Sequence, residues 1–232
     1  MAIFVFFLFQ LTLFFIGFWG PWRDANTKGH LARPIRMLLS FSLLVAAFAI
    51  WLGGAKLPIY AQWVAFGMFA SFIGDLIMAR LIRLPNRLIA GMIAFTIAHA
   101  LYINAYTQTM QIISSIEPYN RFNIGLLAGL LFYCSLVLFG WLYLVRQSRH
   151  ARIIKIGSMV YLLWVCTMAS FALALGYALG FWLTAIGGLL FVISDFIVVV
   201  RDVGDKRIQN VNDWVWLTYV GAQMGIIYSS IQ

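Results

Sequence analysis

Two of the seven acidic residues stand where a carboxylate is costly, Asp75 in the run GMFASFIGDLIMAR and Asp195 in the run GLLFVISDFIVVVR. Facing lipid, each would carry a penalty of several kcal/mol, so an intramembrane carboxylate points to function. Two carboxylates sharing a low-dielectric cavity do not both ionise readily, because desolvation and mutual repulsion oppose the second charge. Such a pair holds one proton near neutrality as a coupled unit. One member can then act as a general acid and the other as a general base. The same pair could instead bind a cation, carry protons in a transporter, or only tie helices together through hydrogen bonds.

The two contexts match. Asp75 lies five residues before Arg80 and Asp195 six before Arg201, and each follows a small residue, Gly74 or Ser194. At 1.5 Å per residue both sit about 8–9 Å along the helix from a basic rim. The helices that follow also correspond, one carrying Phe95, His99 and Tyr102 and the other Tyr219, Gln223 and Ile227. In each, an aromatic ring precedes a hydrogen-bonding side chain by four positions on one face. The aspartates are 120 residues apart, close to half the chain, which predicts a parallel 4+4 repeat with halves near residues 1–113 and 114–232 of a single domain, 1–232. A pseudo-two-fold axis along the membrane normal would bring both aspartates to equal depth around one central cavity. Asp75, Asp195 and His99 could begin a metal site, but His30 and His150 lie in or beside loops, too far to complete it. No metal is expected. Asp24, Glu117, Asp202, Asp205 and Asp213 fall in loops or at span ends and are read as solvated charges. There is no phosphate-binding Gly loop, nucleophile elbow or H-E-x-x-H helix.

The elements that must carry these residues follow from composition. Of 232 residues 63% are hydrophobic, 17% aromatic and only 10% charged, against about 25% charged in an average soluble domain. That excludes a soluble fold and predicts an all-α polytopic membrane protein. Cutting at charge and Pro/Gly clusters leaves eight apolar runs near residues 2–20, 35–53, 58–79, 88–107, 122–145, 153–175, 179–200 and 214–231, each about the length that spans a bilayer. The first run is read as a span rather than a cleavable signal, since the first positive charge is Arg23.

Fourteen of the 16 basic residues fall in the odd-numbered loops, and only Lys56 and Arg121 in the even ones. By the positive-inside rule the odd loops are cytoplasmic and both termini are outside. The net charge of +9 then reflects topology, and nucleic acid is not expected as a partner; the lipid bilayer is. The short loops suit a bacterial inner membrane. Trp19, Trp22, Trp51, Trp182, Trp214 and Trp216 fall near span ends, as interfacial anchors do. Gly125/Gly129, Gly176/Gly180 and Gly221/Gly225 are spaced for close helix packing. Cys134 and Cys166 lie inside apolar runs and form neither a disulfide framework nor a zinc site.

The GD of the third run, H-x-x-Y of the fourth, L-F-V-I-S-D of the seventh and Y-x-x-x-Q of the eighth resemble the YhhN-like lysoplasmalogenase family, as does Arg33-Pro34 opening the second. The resemblance covers essentially the whole chain and is most specific at the two aspartates. It implies hydrolysis of the vinyl ether bond of a lysoplasmalogen to a fatty aldehyde and a glycerophospho-ethanolamine or -choline, without an organic cofactor. It places catalysis on Asp75 and Asp195, with His99 and Gln223 nearby; Tyr102, Tyr219 and Ser194 would support them. Basic side chains at the cytoplasmic rim, among them Arg33, Arg80 and Arg201, could meet the substrate phosphate. A proton-coupled transporter on the same repeat is the competing reading. The chemistry suits the pair, since a vinyl ether hydrolyses when an acid protonates its β-carbon and water captures the resulting oxocarbenium ion.

Overall fold

A computed structural model describes residues 2–19, 31–113 and 116–231. Within these the chain is helical throughout, without a strand: α1 (Ala2–Trp19), α2 (Arg33–Leu52), α3 (Pro58–Met78), α4 (Arg87–Ile113), α5 (Ile116–Leu144), α6 (Arg152–Leu179), α7 (Trp182–Asp202) and α8 (Val211–Tyr228), the last running into a single 3₁₀ turn, Ser229–Ile231. His30, Trp22 and Asp24, and the side chain of Trp19, lie outside the described residues.

Local chemistry sets the ends. Pro34 and Pro58 occupy the first turns of α2 and α3, where a missing N–H costs nothing. Gly180, at φ 81°, closes α6 in the left-handed conformation and donates its N–H to Gly176 O. The helix α4 runs six residues past the expected residue 107, because Thr107 to Gln111 contain no breaker and Thr107 and Thr109 hydrogen-bond back into their own helix. The helix α5 begins six residues before the expected 122, with Pro118 tolerated in its first turn.

Six of these helices, α2 to α7, are long and apolar enough to cross a membrane among the described residues. The helix α8 is less apolar because Asn212, Asp213, Thr218 and Gln223 are spread along it. Large apolar side chains face outward in i, i+4 stripes, Ile89, Ile93 and Ile97 on α4 and Leu127, Leu131 and Phe139 with Tyr143 on α5. Such stripes are stable against hydrocarbon and would be a liability in water. The chain is an integral membrane protein.

Packing order gives the site its walls. Taken by neighbour, α2, α3, α4, α6, α7 and α8 form a ring that closes from α8 back to α2; α1 packs on α2 and α5 on α6, outside it. Small residues permit the closest approaches. A Cβ on Gly125 or Gly129 would stand 2.9 or 2.8 Å from the α6 backbone at Ala174 or Ser170, and one on Gly225 would stand 2.6 Å from Leu183 O of α7. The three Gly-x-x-x-Gly strings thus divide by role: two bring helices together, whereas Gly180 of the third serves as a helix cap.

Candidate functional site

Asp75 and Asp195 are both buried, come from α3 and α7, and line one cavity of about 390 Å³. Asp75 receives two hydroxyl donors on the same oxygen, Oδ2: Ser40 Oγ of α2, in a short contact, and Tyr219 Oη of α8 at 2.7 Å. Asp195 Oδ2 receives Tyr161 Oη of α6 at 2.6 Å. A buried carboxylate is stable only when hydrogen-bonded, and hydroxyls on the flanking ring helices meet that need.

Behind Asp75 a relay continues into the protein. Tyr102 Oη donates to Gln223 Oε1 at 2.7 Å, and Gln223 Nε2 donates to Tyr219 Oη at 3.3 Å. Ser71 lies 3.4 Å from Tyr102 Oη. Two glycines make room: a Cβ on Gly67 would fall 2.3 Å from the Tyr102 ring, and one on Gly74 2.9 Å from Phe95, whose ring stacks edgewise on Tyr219 at 6.1 Å. His99 is fully buried, with Nε2 4.0 Å from Asp195 Oδ2 and its ring edgewise on Phe191 at 5.0 Å. Neither ring nitrogen has a hydrogen-bond partner among the described residues. Ser194 lines the cavity but gives its hydroxyl to Val215 O at 3.2 Å.

The cavity lies at the end of the bundle where α3 turns into α4 and α7 into α8. It adjoins a second space of about 800 Å³, and the two share Arg33, Arg80, Arg87, Leu88 and Asp202 in their walls. Arg80 sits at φ 62°. It occupies the left-handed position of a Schellman turn, in which its own N–H reaches Ile77 O and that of Leu81 reaches Leu76 O. Arg201 differs from these rim cations, since Asp202 grips it through both carboxylate oxygens at 2.6 and 2.8 Å and Asn212 Oδ1 takes a third N–H at 2.8 Å.

Other charged and aromatic groups depart from their sequence reading. Asp213 is buried and accepts the Leu31 N–H at 3.2 Å, so it ties the approach to α2 onto α8 rather than meeting solvent. Asp202 is partly buried against Arg201. Trp182 and Trp214 are exposed at span ends, but Trp216 is buried, lines the cavity and lies beneath the Arg36 guanidinium, 5.8 Å from its centroid. His150 stands 3.2 Å from Asp205, an exposed contact. Among the described residues no three of His, Cys, Asp and Glu are grouped to hold a metal ion.

Sequence reasoning did not single out Ser40, Tyr161, Arg36 or Arg87. Serines are common in apolar helices because their hydroxyls can bond their own backbone, and a tyrosine in an apolar run reads as one more aromatic core residue, so neither Ser40 nor Tyr161 stands out by type. One signal was present. Ser40 precedes Asp75 by 35 residues and Tyr161 precedes Asp195 by 34, nearly the same register in both halves.

Fold and site together define a polytopic helical membrane protein with two buried carboxylates on a cavity that opens toward a cluster of arginines. The chain belongs to the YhhN family, whose family model matches residues 31–230. No curated protein and no solved structure matches it.

Proposed function

We propose that this protein is an integral-membrane lysoplasmalogenase, an ether hydrolase in which Asp75 and Asp195 act as an acid–base pair on the vinyl ether of a lysophospholipid. The observation that carries the reading is the opening of both carboxylates on one cavity whose outer wall is built by Arg33, Arg80 and Arg87. The guanidinium forks suit the headgroup phosphate. Met37, Met92, Phe95 and Val198, also in the cavity wall, suit the chain next to the scissile bond.

One carboxylic acid protonates the vinyl β-carbon, and the neighbouring carboxylate stabilises the oxocarbenium ion and takes a proton from the attacking water. The hemiacetal then collapses as the second aspartate returns that proton to the leaving glycerol oxygen. The first takes the hemiacetal hydroxyl proton, which releases the aldehyde and restores both groups. The pair contributes about 10²–10⁴-fold for each proton transfer it assists. The helices α3 and α7 run unbroken past the aspartates, whereas transporter sites commonly sit at interrupted helices near mid-membrane.

In this reading all eight helices cross the membrane as one domain, with both termini outside and the arginine-rich end in the cytoplasm, in a bacterial inner membrane. The packing order supports the 4+4 repeat. Exchanging α1–α4 with α5–α8 maps the contacts α1·α2, α2·α3, α3·α4 and α4·α6 onto α5·α6, α6·α7, α7·α8 and α8·α2, all of which occur. The contacts also favour a register in which His99 corresponds to Tyr219, 120 residues on, since each approaches the aspartate of the other half.

The deciding experiment is aldehyde release from a defined lysoplasmalogen by the purified protein, with Asp75→Asn and Asp195→Asn compared. Both variants are expected to lose at least about 10²-fold in kcat. Turnover at the wild-type rate in either variant sinks the pair.

A further inference from the structure

The two aspartates are equivalent in sequence but unequal in their hydrogen bonding. Around Asp75 the directions of the bonds are set by an amide. Gln223 Oε1 can only accept, and it takes the Tyr102 hydroxyl at 2.7 Å; Nε2 can only donate, and it gives a proton to Tyr219 Oη at 3.3 Å. Tyr219, already an acceptor, sends its own proton to Asp75 Oδ2 at 2.7 Å, and Ser40 donates to that same oxygen. Two hydroxyl donors compensate the charge of a carboxylate, and donation to the charged form favours it.

Asp195 has a poorer set. Tyr161 donates to Oδ2 at 2.6 Å. The Ser194 hydroxyl is engaged by Val215 O, His99 Nε2 stands off at 4.0 Å, and Arg201 is engaged by Asp202 and Asn212. One hydroxyl donor leaves a charge on Asp195 less compensated than one on Asp75, so the proton the pair holds rests on Asp195, on Oδ1 with Oδ2 accepting as the carbonyl.

We infer that Asp75 is the resident carboxylate and Asp195 the resident carboxylic acid of the pair, with Gln223 and Tyr219 as positioning residues that set this order. The inference gives direction to the proposed reaction, on which its catalytic consequence rests. Asp195 delivers the proton to the β-carbon, and Asp75 faces the cation and deprotonates water.

The order is measurable in the resting protein without substrate, so its failure is distinguishable from failure of the proposed reaction. Infrared spectra of the full chain in lipid nanodiscs at neutral pH are expected to contain the C=O stretch of a protonated carboxyl, sensitive to H/D exchange. The band is expected to vanish in Asp195→Asn and persist in Asp75→Asn. The reverse pattern, its loss from both variants or its persistence in both overturns the assignment. Where an Asn variant does not fold, the tyrosines supply the same test. Tyr161→Phe removes the hydrogen bond to the acid's carbonyl and is expected to raise the band's frequency; Tyr219→Phe is expected to raise it less. A larger rise in Tyr219→Phe, or no rise in Tyr161→Phe, overturns it as well.

Discussion

Tyr219 of α8 donates its hydroxyl to Asp75 of α3 at 2.7 Å, joining residues 144 apart in the chain. The bond crosses from one half of the molecule to the other and anchors a relay through Gln223 to Tyr102 of α4. Three helices therefore act on one carboxylate, and a conservative change on any of them reaches it.

Removing that hydroxyl is the mildest test. Tyr219→Phe keeps the ring and its packing on Phe95 and Trp216 but deletes one donor to a carboxylate, an interaction of about 1.5–3 kcal/mol. The expected result in aldehyde-release kinetics is a kcat lower by roughly 10- to 100-fold, with KM within about threefold. A change confined to KM would move Tyr219 from the acid–base relay to substrate binding.

Arg80 allows the proposed phosphate binding to be tested apart from folding. Its φ of 62° is a conformation that favours glycine by about 1 kcal/mol over residues with a Cβ. Arg80→Gly is expected to keep or slightly raise the thermal stability while KM for a lysophospholipid rises about tenfold, the worth of one charge-assisted hydrogen bond. Arg201→Ala, by contrast, removes a group engaged with Asp202 and Asn212 and is expected to lower stability. An unchanged KM in Arg80→Gly would remove Arg80 from the phosphate site.

Gly67 ties packing to the relay. A methyl there would meet the Tyr102 ring at 2.3 Å, and that ring is fully buried with its hydroxyl on Gln223. Gly67→Ala is expected to destabilise by about 1–3 kcal/mol through overpacking, seen as a lower Tm in detergent. A wild-type Tm would mean that the ring has free space to move.

The topology has its own test. Cysteines introduced as Arg83→Cys and Arg149→Cys are expected to react with an impermeant maleimide only from the cytoplasmic face, and Lys56→Cys only from the other. Labelling of all three from one face would refute the alternation of loops expected from the positive-inside rule.

The sequence by itself determined the membrane class, because the length of an apolar run is a local property of the chain. It also marked Asp75 and Asp195 as the carboxylates inside apolar runs, and both are buried on one cavity in the fold. Helix starts followed where Pro34 and Pro58 act locally, and ends missed where polar residues prolonged α4 and α5 and where α6 ran past the expected residue 175 to its Gly180 cap. The tertiary structure decided which partners those carboxylates have. Ser40 and Tyr161 carry no local mark, and Gln223 reads as any buried polar side chain until α8 is laid beside α3 and α4. It also separated arginines that composition treats alike, Arg80 on the cavity rim and Arg201 engaged by Asp202. Hydrogen bonding across helices depends on rotation and depth, which one helix's periodicity does not contain. For that reason the two aspartates, alike in the sequence, became unlike only in the fold.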